Sequence, residues 1–351
     1  MKVLVTGHDG YIGSVASPII RDAGNEVVGL DSYLFDGCSL GEKIQNVPGR
    51  RIDLRDVQVE HIRGFDAVVH LAGISNDPMG DLDPARTFEV NYKASVRLAR
   101  LAKEAGVERF VFASSCSLYG AASPDDFLTE SAPFNPVTPY GESKVLSEQG
   151  VLELADDGFS PTFLRNATVY GYSPRLRLDL VVNDLVANAL ATGNILIKSD
   201  GTAWRPLIHI EDVSMAILAT LEAKREVVHN EAFNIGATKE NYQVRDVANI
   251  VSEVVPGSRV TYAEGGEPDK RSYRVDFSKA EEGLPGFEPR WTVSEGAREL
   301  ADAYARFGLV PDDLTSSRFV RLRRIQTLQA EGTLGPDLRW VSSPASASVA
   351  R

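Results

Sequence analysis

An α/β fold built on a doubly wound parallel sheet is what this 351-residue sequence predicts, and three observations predict it. Short apolar runs (KVLVT, EVVGL, DAVVH, RFVFA and PTFLR) recur up to residue 165, each with the composition of a strand buried on both faces. Stretches with helical spacing separate them, and crossovers of that length join parallel strands. The first run also turns through Gly7, Gly10 and Gly13 directly into a helical pattern. That order of strand, glycine turn and helix puts the ligands of such a sheet outside its carboxyl ends.

The glycine turn carries the first functional reading. Glycines let backbone approach a pyrophosphate, and the unpaired N–H groups at the helix start hold the anion. Gly7, Gly10, Tyr11, Ile12 and Gly13 are therefore candidate cofactor contacts. A tight turn without a ligand would read the same way, but Asp31 separates the two readings. It closes the second apolar run, 24 residues after Gly7, where a Rossmann-type dinucleotide fold places the acid that grips the adenosine ribose. A carboxylate there repels a 2′-phosphate, so NAD is expected rather than NADP.

Residues 32–49 read as a long functional loop. At the next strand end Asp53, with Leu54 after it, is placed to accept from the adenine amino group or simply to face solvent. The run ending at His70 is followed by Leu71, Ala72 and Gly73, small enough to let the cofactor pass close. A long helix is expected over 84–105, with Pro near its start. Asn91 within it faces either the core, as a backbone-bonded structural residue, or the cofactor site.

The strand at 109–113 runs into SSCSLYG, and a helix is expected over 140–156. Tyr140 and Lys144 share one face of that helix, and of the eleven tyrosines only Tyr140 has a lysine four residues later. A free phenol has a pKa of about 10, and a neighbouring ammonium favours its phenolate. Such a tyrosine takes a proton from a hydroxyl while the adjacent carbon yields a hydride to NAD. Ser115 supplies a hydroxyl to orient the substrate oxygen. Each of these residues has an ordinary surface or turn reading alone; together with the glycine loop and Asp31 they describe a redox site.

Beyond residue 172 the strand–helix alternation loosens, with helices expected at 178–192, 211–223 and 244–254 and a strand at 195–198. The expected organisation is an NAD-binding domain over 1–172, a smaller α/β substrate lobe over 173–310, and an Arg-rich helical extension with a disordered tail over 311–351. A net charge of −12 argues against nucleic acid or an anionic membrane as partner. Two cysteines suggest no disulfide framework and fit a reducing cytoplasm, and no apolar run is long enough to span a bilayer. No metal is expected.

The motifs TGHDGYIG, Asp31, SSCSLYG and YGESK, in this order, resemble the extended short-chain dehydrogenase/reductase family and its nucleotide-sugar epimerase and dehydratase branch, from residue 1 to about 310. The resemblance implies bound NAD that oxidises a sugar carbinol, usually at C4. It also implies catalytic roles for Ser115, Tyr140 and Lys144, and a homodimer formed through the helices at 84–105 and 140–156. Arg205 matches the arginine that holds the sugar diphosphate, and Arg271, with Lys270 and Arg274 as neighbours, lies before the DFSK segment where a second arginine is expected. The family's Asn after the PTFLR strand falls at Thr168, with Asn166 two residues earlier. Where 4,6-dehydratases carry an acidic pair, this chain has Cys116 and Ser117, both candidate substrate contacts, with a buried, inert thiol as the other reading of Cys116. The resemblance therefore favours an NAD-dependent epimerase acting through a transient ketone. A non-standard dehydratase or 3-/5-epimerase using Cys116 stays open, as does a non-catalytic NAD-binding sensor.

Overall fold

The computed structural model describes residues 1–341 except 42–43, 45–46, 76, 124–125 and 266–268. Seven parallel strands form its central sheet: β1 (Lys2–Thr6), β2 (Glu26–Asp31), β3 (Gly49–Arg51), β4 (Ala67–His70), β5 (Arg109–Ser115), β6 (Ser160–Asn166) and β7 (Glu231–Ile235), in the order β7-β6-β5-β4-β1-β2-β3. The order reverses at β1, which pairs with β2 on one side and β4 on the other. A crevice opens at the carboxyl ends of such neighbours, and it is the ligand position of this topology.

The strands read as continuous apolar runs because both faces are covered. Val3, Val5, Val69, Val111 and Leu164 point into one core, with Ala16 and Ile20 of helix α1 (Gly13–Asp22). Leu4, Val68, Phe110, Phe112 and Phe163 point to the other, under Leu98, Ala99 and Ala102 of α2 (Ala94–Glu104). Helix α3 (Pro139–Leu152) packs beside α2 and contributes Val151 to that second core. The single helix expected over 84–105 is observed as three pieces, with a π-helical turn at Phe88–Lys93 between Pro84–Thr87 and α2.

A second lobe gathers α4 (Val181–Thr192), α6 (Val244–Val254) and α7 (Val293–Phe307) around Val186, Ile195, Leu207, Val251 and Leu300. Between α4 and α6 the chain returns to the main sheet. Helix α5 (Ile210–Glu222) packs against α1, and β7 adds an edge strand. The 173–310 segment thus contributes β7 to the main sheet as well as helices to the second lobe. Helix α8 (Arg321–Ala330) belongs to the C-terminal extension and places Ile325 and Leu328 against Ile74 and Met79. The expected tail at 342–351 lies outside the described residues. Among the described residues no helix is long and apolar enough to cross a membrane.

Candidate active site

The glycine turn fits the crevice because nothing larger fits there. Gly7 sits at φ +77°, and a Cβ on it would come within 2.8 Å of the Ala72 backbone nitrogen. A Cβ on Gly13 would lie 2.1 Å from the Gly7 carbonyl oxygen. The turn therefore packs backbone on backbone across the switch point. Gly7, Gly10, Tyr11, Ile12 and Gly13 form one wall of a concave cleft.

Asp31 lies at the mouth of this wall, at the end of β2. Its carboxylate accepts from the Tyr33 N–H at 2.8 Å and the Asp9 N–H at 3.2 Å, while burial raises its pKa. Leu71, Ala72 and Gly73 line the facing side, and Asp53 and Leu54 the floor toward β3. The Asp53 carboxylate is also engaged within the chain. Its carboxylate caps the short turn Leu54–Asp56 and grips Arg55 at 2.7 Å. Burial alone would raise its pKa, but the Arg55 bonds hold it below the ordinary carboxylate value. Asn91 is also turned from the cleft. Its Oδ1 accepts from Ile74 N–H at 2.7 Å, and its Nδ2 donates to the Ile74 carbonyl at 2.9 Å and to Ser143 at 3.2 Å. It holds the cleft-lining loop from behind, from within the π-helical turn.

The proton-transfer set converges where β5 meets α3. Pro139 and the Thr138 cap, whose hydroxyl accepts from Gly141 N–H, start the helix so that Tyr140 stands in its first turn. Lys144 lies one turn on, with Nζ 5.8 Å from the Tyr140 ring centroid and 4.8 Å from that of Phe112. Its ammonium donates to the Ala113 carbonyl at 2.7 Å, which ties α3 to β5 two residues before Ser115. Burial pushes the Lys144 pKa down to about 8. The Ser115 hydroxyl accepts from Ser117 N–H at 3.1 Å and donates to Ser117 Oγ at 3.0 Å. Tyr140 lies within electrostatic range of Arg177, itself a residue of the cleft wall.

The expected sugar side divides into two groups. Asn166 is the strand partner of Ser115, and its Oδ1 is buried with no hydrogen-bond partner. Thr168 begins the strand Thr168–Tyr170, whose neighbour Trp204–His209 carries Arg205. Arg205 and Arg271 share one carboxylate, that of Asp269, at 2.6 and 2.7 Å. Burial would raise Asp269, but the two guanidiniums hold it down to about 2. Cys116 does not join either group. Its thiol is buried, 1 % exposed, and donates to the Arg165 carbonyl at 3.1 Å. Burial pushes that thiol well above its usual pKa, so no thiolate forms against a sugar. The expectation of a substrate contact at Cys116 is corrected accordingly, while Ser117 remains beside Ser115.

The family model for the NAD dependent epimerase/dehydratase family matches residues 3–236. This chain belongs to that family. It is 30 % identical to a UDP-glucose 4-epimerase of Lactobacillus helveticus over 315 residues, covering 83 % of this chain and 92 % of the relative. A UDP-glucose 4-epimerase of Bacillus subtilis is 27 % identical over 333 residues, covering 87 % and 96 %. Among solved structures, MoeE5 in complex with UDP-glucuronic acid and NAD is 30 % identical with a TM-score of 0.76, over 87 % of this chain and 99 % of that one. The dTDP-glucose 4,6-dehydratase DesIV from Streptomyces venezuelae is 25 % identical with a TM-score of 0.75, over 87 % and 97 %.

NAD is the cofactor of this epimerase/dehydratase family member, and the residues present fit it: a backbone cradle no side chain can fill, and an acceptor-only carboxylate at Asp31. Replacing Asp31 with Ala is expected to weaken NAD by about 10- to 100-fold, the worth of hydrogen bonds to a charged acceptor. The same change should relax rejection of NADP. Equilibrium binding of both cofactors checks this, and equal affinity of the unmutated protein for the two would defeat the argument.

Arg177, Arg321 and Leu338 are among the cleft residues that sequence reasoning missed. Arg177 bonds Asp179 at 2.9 Å and Ser75 Oγ at 3.0 Å from the cleft wall. Arg321 and Leu338 reach the same cleft from the C-terminal extension. The alternating arginines of SPRLR and the Arg-rich stretch after residue 311 were the available signals. Neither has a spacing that specifies a ligand.

Proposed function

We propose that this protein is a nucleotide-sugar epimerase that inverts a sugar carbinol, at C4, through a transient ketone. The observation that supports the reading is the Tyr140–Lys144 pair, tied through Ala113 to the strand end that carries Ser115, with no acidic or ionised side chain at positions 116 and 117. A dehydratase or a 3-/5-epimerase needs a group there to move a carbon-bound proton, and the Cys116 thiol faces the core instead.

NAD, held by the glycine turn and Asp31, would supply reversible hydride acceptance at the carbinol carbon. The chain's own residues manage the proton. Tyr140 takes it from the sugar hydroxyl, and the Lys144 ammonium stabilises the phenolate that does so. The Ser115 hydroxyl, which rotates to suit its partner, donates to the sugar oxygen. Asn166 supplies an unused acceptor next to Ser115 for a second hydroxyl of the ring. When hydride returns, Tyr140 gives the proton back, so no external oxidant, acid or base is consumed.

Arg205 and Arg271 are the candidate clamp for the sugar diphosphate, with Asp269 occupying their donors until the anion arrives. The curated relatives act on UDP-glucose by name, so UDP-sugars are the first substrates to test. Incubation with UDP-hexoses and UDP-uronic acids in deuterated water, followed by NMR, decides the chemistry. The expected product is a C4 epimer without deuterium on its ring carbons. Label at C3, C5 or C6 would indicate enolisation and overturn the reading.

The organisation into a cofactor domain over 1–172, a substrate lobe drawn mainly from 173–310, and an extension over 311–351 is part of the same proposal. A homodimer through α2, α3 and the turns before α2 is included, and a monomeric mass by light scattering would exclude it. Two free, buried cysteines accord with a reducing cytoplasm.

A further inference from the structure

The C-terminal extension lies over the loop that follows β2. Arg324 donates to the Asp36 carbonyl at 3.0 Å, and the Trp340 indole N–H to the Ser32 carbonyl at 2.8 Å. Arg55 donates to the Asp337 carbonyl at 2.7 Å, which brings Leu338 onto the cleft wall. At the start of α8, Arg321 is 2 % exposed and stacks on Phe35, its guanidinium carbon 3.9 Å from the ring centroid. Its Nη2 donates to the Arg175 carbonyl at 3.1 Å, and its Nη1 is buried without a hydrogen-bond partner.

The other arginines near this cleft are balanced, Arg55 by Asp53 at 2.7 Å. Arg175 pairs with Asp9 at 2.5 Å and Arg177 with Asp179 at 2.9 Å. Arg321 forms no ion pair among the described residues, although it lines the same cleft as the glycine turn and Asp31. A buried cation with a free donor is costly unless an anion meets it. NAD carries its negative charge on the pyrophosphate, and the glycine turn offers that group only backbone N–H donors. We propose that Arg321 is a cofactor-binding residue that donates Nη1 to a phosphate oxygen of NAD, which makes residues 321–341 a strap closing the adenosine half of the cleft. The inference rests on NAD as cofactor and is independent of which sugar is turned over.

The test uses protein loaded with NADH and follows its displacement, by fluorescence, with ADP and with adenosine. Arg321→Met keeps a stem to pack on Phe35 and removes the charge. ADP affinity should fall about 10- to 100-fold, as for other hydrogen bonds to charged groups, with adenosine changed less than about twofold. The variant should also lose NAD on gel filtration that the unmutated protein retains. Unchanged ADP affinity would overturn the proposal. So would an equal loss for adenosine, which would make Arg321 only a packing residue of the strap. If Arg321→Met does not fold, Arg321→Lys decides: a point charge in place of the fork should lower the ratio of ADP to adenosine affinity severalfold, and an unchanged ratio counts against the proposal.

Discussion

Tyr140→Phe is expected to lower kcat by about a hundred- to ten-thousand-fold, the range that positioned general bases contribute. The ring stays, so its packing and the nearby Lys144 ammonium are undisturbed, and NAD affinity should change little. Only the group that takes and returns the hydroxyl proton is lost. Lys144 acts on the same step through charge. Its ammonium lies over the Phe112 and Tyr140 rings and is anchored on the Ala113 carbonyl. Burial disfavours that charge and brings its pKa down to about 8, so the cation next to the phenol is present at neutral pH and fades above it. Lys144→Met should therefore move the rise of activity to higher pH, because the phenol must ionise unaided. Rates with a UDP-sugar between pH 6 and 10, alongside NAD binding, measure both effects. Near-normal turnover of Tyr140→Phe would remove Tyr140 from the chemistry and the epimerase mechanism with it.

The parts of the fold readable in the sequence are those whose cause is local. The run from β1 through Gly7 and Gly13 into α1 is written in three glycines and an apolar strand, and helix 244–254 is observed as Val244–Val254 because its apolar spacing is unbroken. Asp31 was legible by its distance from the glycine turn. Tyr140 and Lys144 were legible because a helix forces residues four apart onto one face. What escaped depends on partners far away in the chain. Nothing in EAFNI says that β7 pairs with β6 rather than with a strand of the lobe. Asp53 sits where expected along the chain, but Arg55, two residues on, claims its carboxylate. Cys116 and Ser117 are adjacent in a short turn, and only the turn's geometry decides that the thiol goes inward. The extension reads only as an Arg-rich helical segment, since the burial of Arg321 depends on Phe35, nearly three hundred residues earlier.

Removing Glu148 should produce the largest loss of stability of any single change near the site. Arg165 on β6 holds its carboxylate through Nε at 3.1 Å and Nη2 at 2.8 Å, and both side chains are less than a tenth exposed. The remaining Arg165 donor, Nη1, bonds the Tyr119 hydroxyl and the Glu130 carbonyl, and the Tyr119 hydroxyl donates in turn to Asn234 Oδ1 on β7. The network thus joins α3, β6, β7 and the turn after β5 beneath the catalytic set. Glu148→Ala leaves a buried guanidinium without its counter-charge, and breaking such a pair from one side costs about 3–5 kcal/mol. Replacing both partners, as in Glu148→Met with Arg165→Met, should cost less, because no buried charge is then stranded. Glu148 also lies one turn from Lys144, where its negative charge supports the ammonium. In Glu148→Ala the Lys144 pKa should drop further below its already lowered value, so the phenolate loses its cation at lower pH. Urea unfolding and the pH–rate profile report the two consequences separately. A loss under about 1 kcal/mol, the scale of an exposed pair, would show that the Arg165–Glu148 pair is not the strut that sets the position of α3.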